Sequence, residues 1–229
     1  MEIPGAQERL GLLFSDLEKH TVPIGEMLQR PKELGGLGEA EIDVLKDEIF
    51  QNIAKFIEGE GYPGDHVDFM EANVHDLVYT IVNPVLVAVR RATKRKLRLC
   101  REKRIVSTDA QTGGRQEFVG VDAVGVGGQK FIFVVEAKRY KLQSAKMQCM
   151  LALRDMADNN RDGQVVYGFI TTGDFWQVIR YQHEIFTQTD PIQVVFRTME
   201  RNKAKWLKES SIIVDFLHAA LRSEGFVAA

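Results

Sequence analysis

The sequence predicts an α/β fold: a helical N-terminal extension over residues 1–62, then a domain over 63–229 with a mixed sheet and a C-terminal helix. Three observations carry this expectation. Apolar residues recur at three/four spacing through residues 40–99, the repeat of a helix with one buried face. From about residue 104 the period drops to two, in runs rich in Val, Ile and Phe and separated by glycine-bearing stretches. A helical period then returns at 142–159, before two further strand-like runs and a last helix. The order from residue 68 is therefore αβββαβ, followed by one more strand and one more helix.

Each element has its own warrant. A helix is expected over 6–20, and the loop PKELGGLG at 31–38 precedes EAEIDVLKDEIFQNIAKFIEG, where Ile42, Leu45, Ile49, Ile53 and Phe56 form one face. GYPG at 61–64 reads as a turn. A long helical region follows from about 68 to 99, which Pro84 is expected to kink or divide, with Asn83 as cap of the second piece. RIVSTDA (104–110), QEFVGVDAVGV (116–126) and QKFIFVVEAKR (129–139) read as three strands. LQSAKMQCMLALRDMADN (142–159) is helical. QVVYGFITT (164–172) and FWQVIRY (175–181) form a strand pair about Gly173-Asp174, and the last helix covers roughly 203–222. Trp176, Trp206 and the phenylalanines read as core.

Composition narrows the class. Of the 229 residues, 45% are hydrophobic and 27% charged, as in ordinary globular chains. Cys100 and Cys149 lie far apart without metal-ligand spacing, so neither a disulfide framework nor a zinc site is suggested. The N-terminal stretch has no continuous apolar h-region, and no window approaches 18 uncharged apolar residues. The expectation is an intracellular protein of nucleus or cytoplasm, with no membrane partner. The net charge of −2 conceals a split: residues 1–80 carry 6 Lys/Arg against 17 Asp/Glu, and the remainder 24 against 15. A basic second part suggests an anionic partner, although simple solvation produces the same asymmetry.

The stretch FIFVVEAKRY (131–140) concentrates the chemistry. Alternation puts Glu136 and Lys138 on one face of a strand end. Asp122, on the preceding strand, is the natural third member, giving D-x13-E-x-K. Whether it shares that face depends on the hairpin. A two-residue turn at Gly127-Gly128 sets Asp122 opposite Phe133, on the wrong face. A three-residue loop, Gly127-Gly128-Gln129, sets it opposite Val134 and diagonal to Glu136. The functional reading therefore expects that register, which a one-residue slip would refute. Two converging carboxylates raise each other's pKa unless a cation sits between them. An all-oxygen set suits Mg²⁺ or Mn²⁺, which can activate water against a phosphodiester. Lys138 would orient or deprotonate that water, or neutralise developing charge. E-x-K triplets are also frequent in strands without any function.

The residues D…E-A-K on a hairpin, within an αβββαβ order covering about residues 68–172, resemble the PD-(D/E)XK nuclease superfamily. The match covers under half of the chain, and Val121 stands where the motif's proline would be. EANVHDLVYTIVNPVL ahead of the hairpin is similar to nuclease-like domains of crinkler-type eukaryotic effector proteins. The resemblance implies a restriction-endonuclease-like fold and Mg²⁺- or Mn²⁺-dependent hydrolysis of nucleic acid, DNA sooner than RNA. It places Asp122, Glu136 and Lys138 at the motif positions, with the Ala137 carbonyl as a further metal ligand. Members often carry a glutamate on the first core helix. Glu71, which extends the Val74, Val78, Ile81, Val85 stripe, is the candidate, although an acid at a helix start also suits the dipole. His75, one turn on, reads as structural or solvated. Some members use a glutamine on the second helix, where Gln148 falls between Ala145 and Ala152.

The run RRATKRKLRLCREKR (90–104) holds nine Lys/Arg and one acid. Arg90, Arg91, Lys94, Arg95, Lys96 and Arg98 within it are expected to contact phosphates, with Arg139, Lys141 and Lys146 flanking the site from the other side. A localisation signal or a solvated helix end would look the same. Two rival readings remain: a nuclease fold without turnover that holds nucleic acid or a protein, and an effector or scaffold that forms a homodimer through its C-terminal helix.

Overall fold

A computed structural model describes residues 3–28, 36–64, 68–108, 113–124, 128–140 and 142–222. The chain is mixed α/β, with an open, mostly antiparallel sheet. Among the described residues this sheet has seven strands in the order β1 (Leu97–Val106), β2 (Gly113–Val124), β3 (Gly128–Ala137), β4 (Val166–Thr171), β5 (Phe175–Gln182) and β6 (Ile185–Gln188), with β7 (Ile192–Gln193) paired to β5. β3 and β4 are parallel and joined by α6 (Leu142–Asn160), and every other neighbouring pair is antiparallel.

The first helical stretch is broken rather than continuous. It forms α1 (Ile3–Leu10), α2 (Phe14–Leu17) and the 3₁₀ turn Glu18–His20, because Gly11 sits at φ 64 and ends the first piece. A short α3 (Ile24–Met27) comes next. Then α4 (Glu39–Glu60) buries Ile42, Leu45, Ile49, Phe50, Ile53 and Ile57. All of these but Ile42 join one core with α5 (Glu71–Thr93), α8 (Ile212–Arg222) and one sheet face, so the segment 1–62 helps build the body of the molecule. The opposite sheet face packs on α6 through Val119, Val121, Phe131, Val134, Ala145, Cys149 and Leu153.

Pro84 does not divide α5. One helix runs through it, with Val74, Leu77, Val78, Ile81, Val82, Val85, Leu86 and Val89 all buried. A buried aliphatic side chain contributes about 1.5–3 kcal/mol, so eight of them outweigh the roughly 3 kcal/mol that an internal proline costs. This helix is also long and apolar enough to cross a bilayer by composition, with mean hydropathy 1.3. Polar residues such as Asp76 and Thr80 interrupt it, and its apolar side lies against α4, α8 and the sheet.

The helix ends at Lys94 in the left-handed region (φ 59), and β1 begins at Leu97, seven residues earlier than expected. Alternation in LRLCR was concealed by its arginines: Leu97 is buried and Leu99 packs half-buried on the same core. The last helical region, expected over 203–222, comprises α7 (Lys203–Lys205), a π-helical turn Trp206–Ser210 and α8. Trp176 and Trp206 are fully buried, as expected.

Candidate functional site

The hairpin register differs from the one expected. Val124 pairs with Gly128, so Gly128 and Gln129 already belong to β3; Gly127 lies outside the described residues. Asp122 consequently faces Lys130, not Val134. That is six residues before Glu136, or about 20 Å along the strand. A bulge between Gly120 and Val121 shifts the ladder once more, so that Gly120 meets Phe133 and Phe118 meets Val135. The physical cause is packing at Gly120: a Cβ there would lie 2.3 Å from the Phe133 ring, so this ring fills the space that glycine leaves.

Asp122 is thus removed from the site. Its Oδ2 accepts from Arg95 Nε at 2.8 Å, and Arg95 Nη1 also donates to the Leu221 carbonyl. Both charged groups are largely buried, and their pairing joins β2 to the end of α8 through the α5–β1 turn.

Glu117 stands where Asp122 was expected. The β2–β3 ladder ends at Phe118↔Val135, and immediately beyond it the Glu117 carboxylate accepts the N–H of Ala137. Directly opposite on β1, Glu102 adopts φ 50, a left-handed bend inside a strand. Past this bend the β1–β2 hairpin folds back over the α6 face. Lys103 donates to Gln129 Oε1 at 3.1 Å, Asn159 donates to the Val106 carbonyl at 2.9 Å, and Ile105 joins the α6-side core. The fold-back opens the sheet end at Glu117.

Four further groups converge there. Lys138 Nζ donates to Glu117 Oε1, and to Glu71 Oε1 at 2.9 Å. His75, one turn along α5 from Glu71, holds Nε2 3.3 Å from Glu117 Oε2, close enough for an ion pair but poorly angled for a hydrogen bond. Its ring packs edge-on against Phe118. Glu136 is 2% exposed, and its Oε1 is buried without a hydrogen-bond partner. Glu71, His75 and Glu117 each offer one ligand atom, all within 4.8 Å of one another.

The electrostatics reflect this crowding. Burial, then the charge of Glu117, push the Glu136 carboxyl up to about 8, against the opposing pull of Lys138. Burial works against a charged Glu117, but His75, Lys138 and the Ala137 N–H outweigh it and hold that carboxyl below its ordinary value. Lys138 likewise loses solvation, yet its bonds to Glu117 and Glu71 keep it above the usual lysine value. The neighbouring Glu117 carboxylate raises His75 despite partial burial.

Of the residues expected from sequence, Glu71, Glu136, Ala137 and Lys138 come together, and Asp122 does not. Gln148 is exposed; the inward stripe of α6 is Ala145, Cys149, Ala152, Leu153 and Met156, one position away. The sequence reading does not reach Glu117, and it takes His75 as structural or solvated. Glu117 is the acid before the apolar run Phe118–Val121, as Glu136 is the acid after Phe131–Val135. In antiparallel neighbours the start of one such run meets the end of the other, which was the available signal.

The basic run lies apart from these acids. Arg90 and Arg91 occupy the exposed last turn of α5, about 30 Å from Glu71 along the helix, with Lys94, Lys96 and Arg98 exposed beyond. Lys146 is half-buried beside a cavity of ≈ 450 Å³ shared with Ser15, Glu18, Gln143 and Gln177, and burial lowers its pKa. Arg139 stays at the acidic site; Lys141 lies outside the described residues. No protein-family model matches the chain, and no curated protein matches its sequence.

Proposed function

We propose that the chain is a metal-dependent nuclease of the PD-(D/E)XK type, with Glu117 in the role first given to Asp122. The observation that carries this reading is Glu136: a carboxyl almost wholly buried, with one oxygen unpartnered, beside the half-buried carboxylate of Glu117. An unpaired buried carboxylate oxygen is costly, and a bound cation removes that cost.

The sheet order supports the same reading. β1 to β5 lie in sequence order, β3 and β4 run parallel through α6, and α5 precedes the three-stranded meander, which suits a restriction-endonuclease-like arrangement. Glu117 and Glu136 would hold Mg²⁺ or Mn²⁺, with Glu71 alongside. The Ala137 N–H points at Glu117, and an extended residue turns its carbonyl to the same side, so that oxygen suits a further ligand. A divalent cation so held supplies a Lewis acid that activates water and polarises phosphate. Lys138, between Glu71 and Glu117, sets a positive charge where the pentavalent phosphorus gathers negative charge. Water adds to phosphorus, the bond to the leaving oxygen breaks, and the proton from water ends on the products.

The test is cleavage of supercoiled plasmid and labelled strands in Mg²⁺, Mn²⁺ or EDTA, with Glu117→Gln, Glu136→Gln and Lys138→Ala beside the native chain. Metal-dependent nicking lost in all three variants is expected. Nicking that persists in EDTA, or in Glu117→Gln, would overturn the assignment.

A further inference from the structure

Two arginine–tyrosine pairs bracket the acidic cluster. Glu71, His75 and Tyr79 recur every four residues along one stripe of α5, so Tyr79 continues the row that ends in the site. The Tyr79 ring is 42% exposed, with the Arg101 guanidinium 5.9 Å from its centroid and 5.3 Å from that of Phe118. On the other flank Tyr140, two residues after Lys138, is 67% exposed, and the Arg139 guanidinium lies 5.0 Å from its ring centroid. Met70, 58% exposed, touches the same guanidinium through its sulfur at 3.7 Å.

Single exposed aromatics are ordinary; two, each carrying an arginine and standing on opposite flanks of one acid cluster, are a pattern. The carboxylates of Glu71 and Glu117 repel a phosphate backbone. Arg101, which also makes an exposed 3.5 Å contact with Asp76, and Arg139 are the cations that offset this at the two approaches, since the Arg90–Arg98 run is remote. A duplex presents phosphates but hides its base faces, whereas unpaired bases stack on exposed rings whatever their identity.

We infer that the site takes an unpaired nucleic-acid strand, with bases stacking on Tyr79 and Tyr140 and the backbone passing Arg101 and Arg139 across the acids. This rests on the nuclease reading for where the scissile phosphate lies, but the affinity it predicts does not depend on turnover.

Binding of labelled single-stranded DNA, single-stranded RNA and blunt duplex DNA of one sequence, measured in EDTA, separates the two. Single strands are expected to bind at least about tenfold more tightly than duplex. Tyr79→Ala and Tyr140→Ala should each weaken single-strand binding by about tenfold, within the range for loss of one base stack, while Tyr→Phe at either position should restore it. DNA and RNA binding alike would fit stacking; a tenfold gap between them would assign the sugar. Equal affinity for duplex and single strand, or alanine variants that bind as the native chain does, would overturn the inference. Single-strand preference without metal-dependent cutting would defeat only the nuclease reading. Metal-dependent cutting of single strands that is indifferent to both tyrosines would defeat only this one.

Discussion

Lys138 Nζ lies 2.9 Å from Glu71 Oε1, which ties the residue just past β3 to the first turn of α5. The same ammonium pairs with Glu117 at the outer end of β2. Three elements distant in sequence therefore meet on one lysine, and the consequences can be measured.

Glu117 and Asp122 exchange the parts expected of them. Glu117→Gln should abolish metal binding. Asp122→Asn should leave metal binding intact and destabilise the fold by about 1–3 kcal/mol, because it leaves Arg95 half-buried without its partner. Mn²⁺ titration by calorimetry together with thermal melts checks both; Asp122→Asn losing metal affinity would reverse the assignment.

Glu136 gives the metal-free protein a specific pH dependence. Its folded pKa, about 8, lies above the ordinary 4.5, so the folded state favours the neutral acid. That contribution is fully present below about pH 4.5 and is lost as pH rises through 8. The melting temperature of the native chain relative to Glu136→Gln should therefore fall between about pH 5 and 9. A difference flat across that window would refute it. Mn²⁺ should restore the native chain most at the alkaline end.

The bend at Glu102 carries backbone strain, since a non-glycine at φ 50 is disfavoured. Glu102→Gly should be neutral or stabilise by up to about 1 kcal/mol, and Glu102→Val should destabilise by about 1–2 kcal/mol. Loss of the exposed contact to Arg115 at 3.6 Å contributes little to either. Chemical denaturation of the two variants measures the difference; a more stable valine variant would count against the strained bend.

Gly120→Ala should destabilise by about 1–3 kcal/mol or more, because its Cβ would lie 2.3 Å from a ring with no room to move in the core. Phe133→Leu in the same chain should recover part of the loss. No recovery would mean that the ring is not what fixes the register at the bulge.

Much of this molecule follows from local pattern. The faces of α4 and α5, the three strands and the charge pair at the end of β3 are all carried by spacing, because burial imposes a period of 3.6 or 2 on any chain that forms such elements. Glu71 and Lys138 were legible for that reason. Register was not. The glycine-rich stretch between β2 and β3 admits several turns, and the one adopted moves Asp122 to the far end of the sheet and brings Glu117 beside Glu136. Packing of Phe133 over Gly120 and the fold-back at Glu102 decide it, and both are contacts between residues distant in sequence. The sequence by itself determined which chemical groups the protein carries and which faces they occupy. Only the tertiary structure decided which of those groups meet, because side-chain alternation fixes a face but leaves position along the strand to long-range packing.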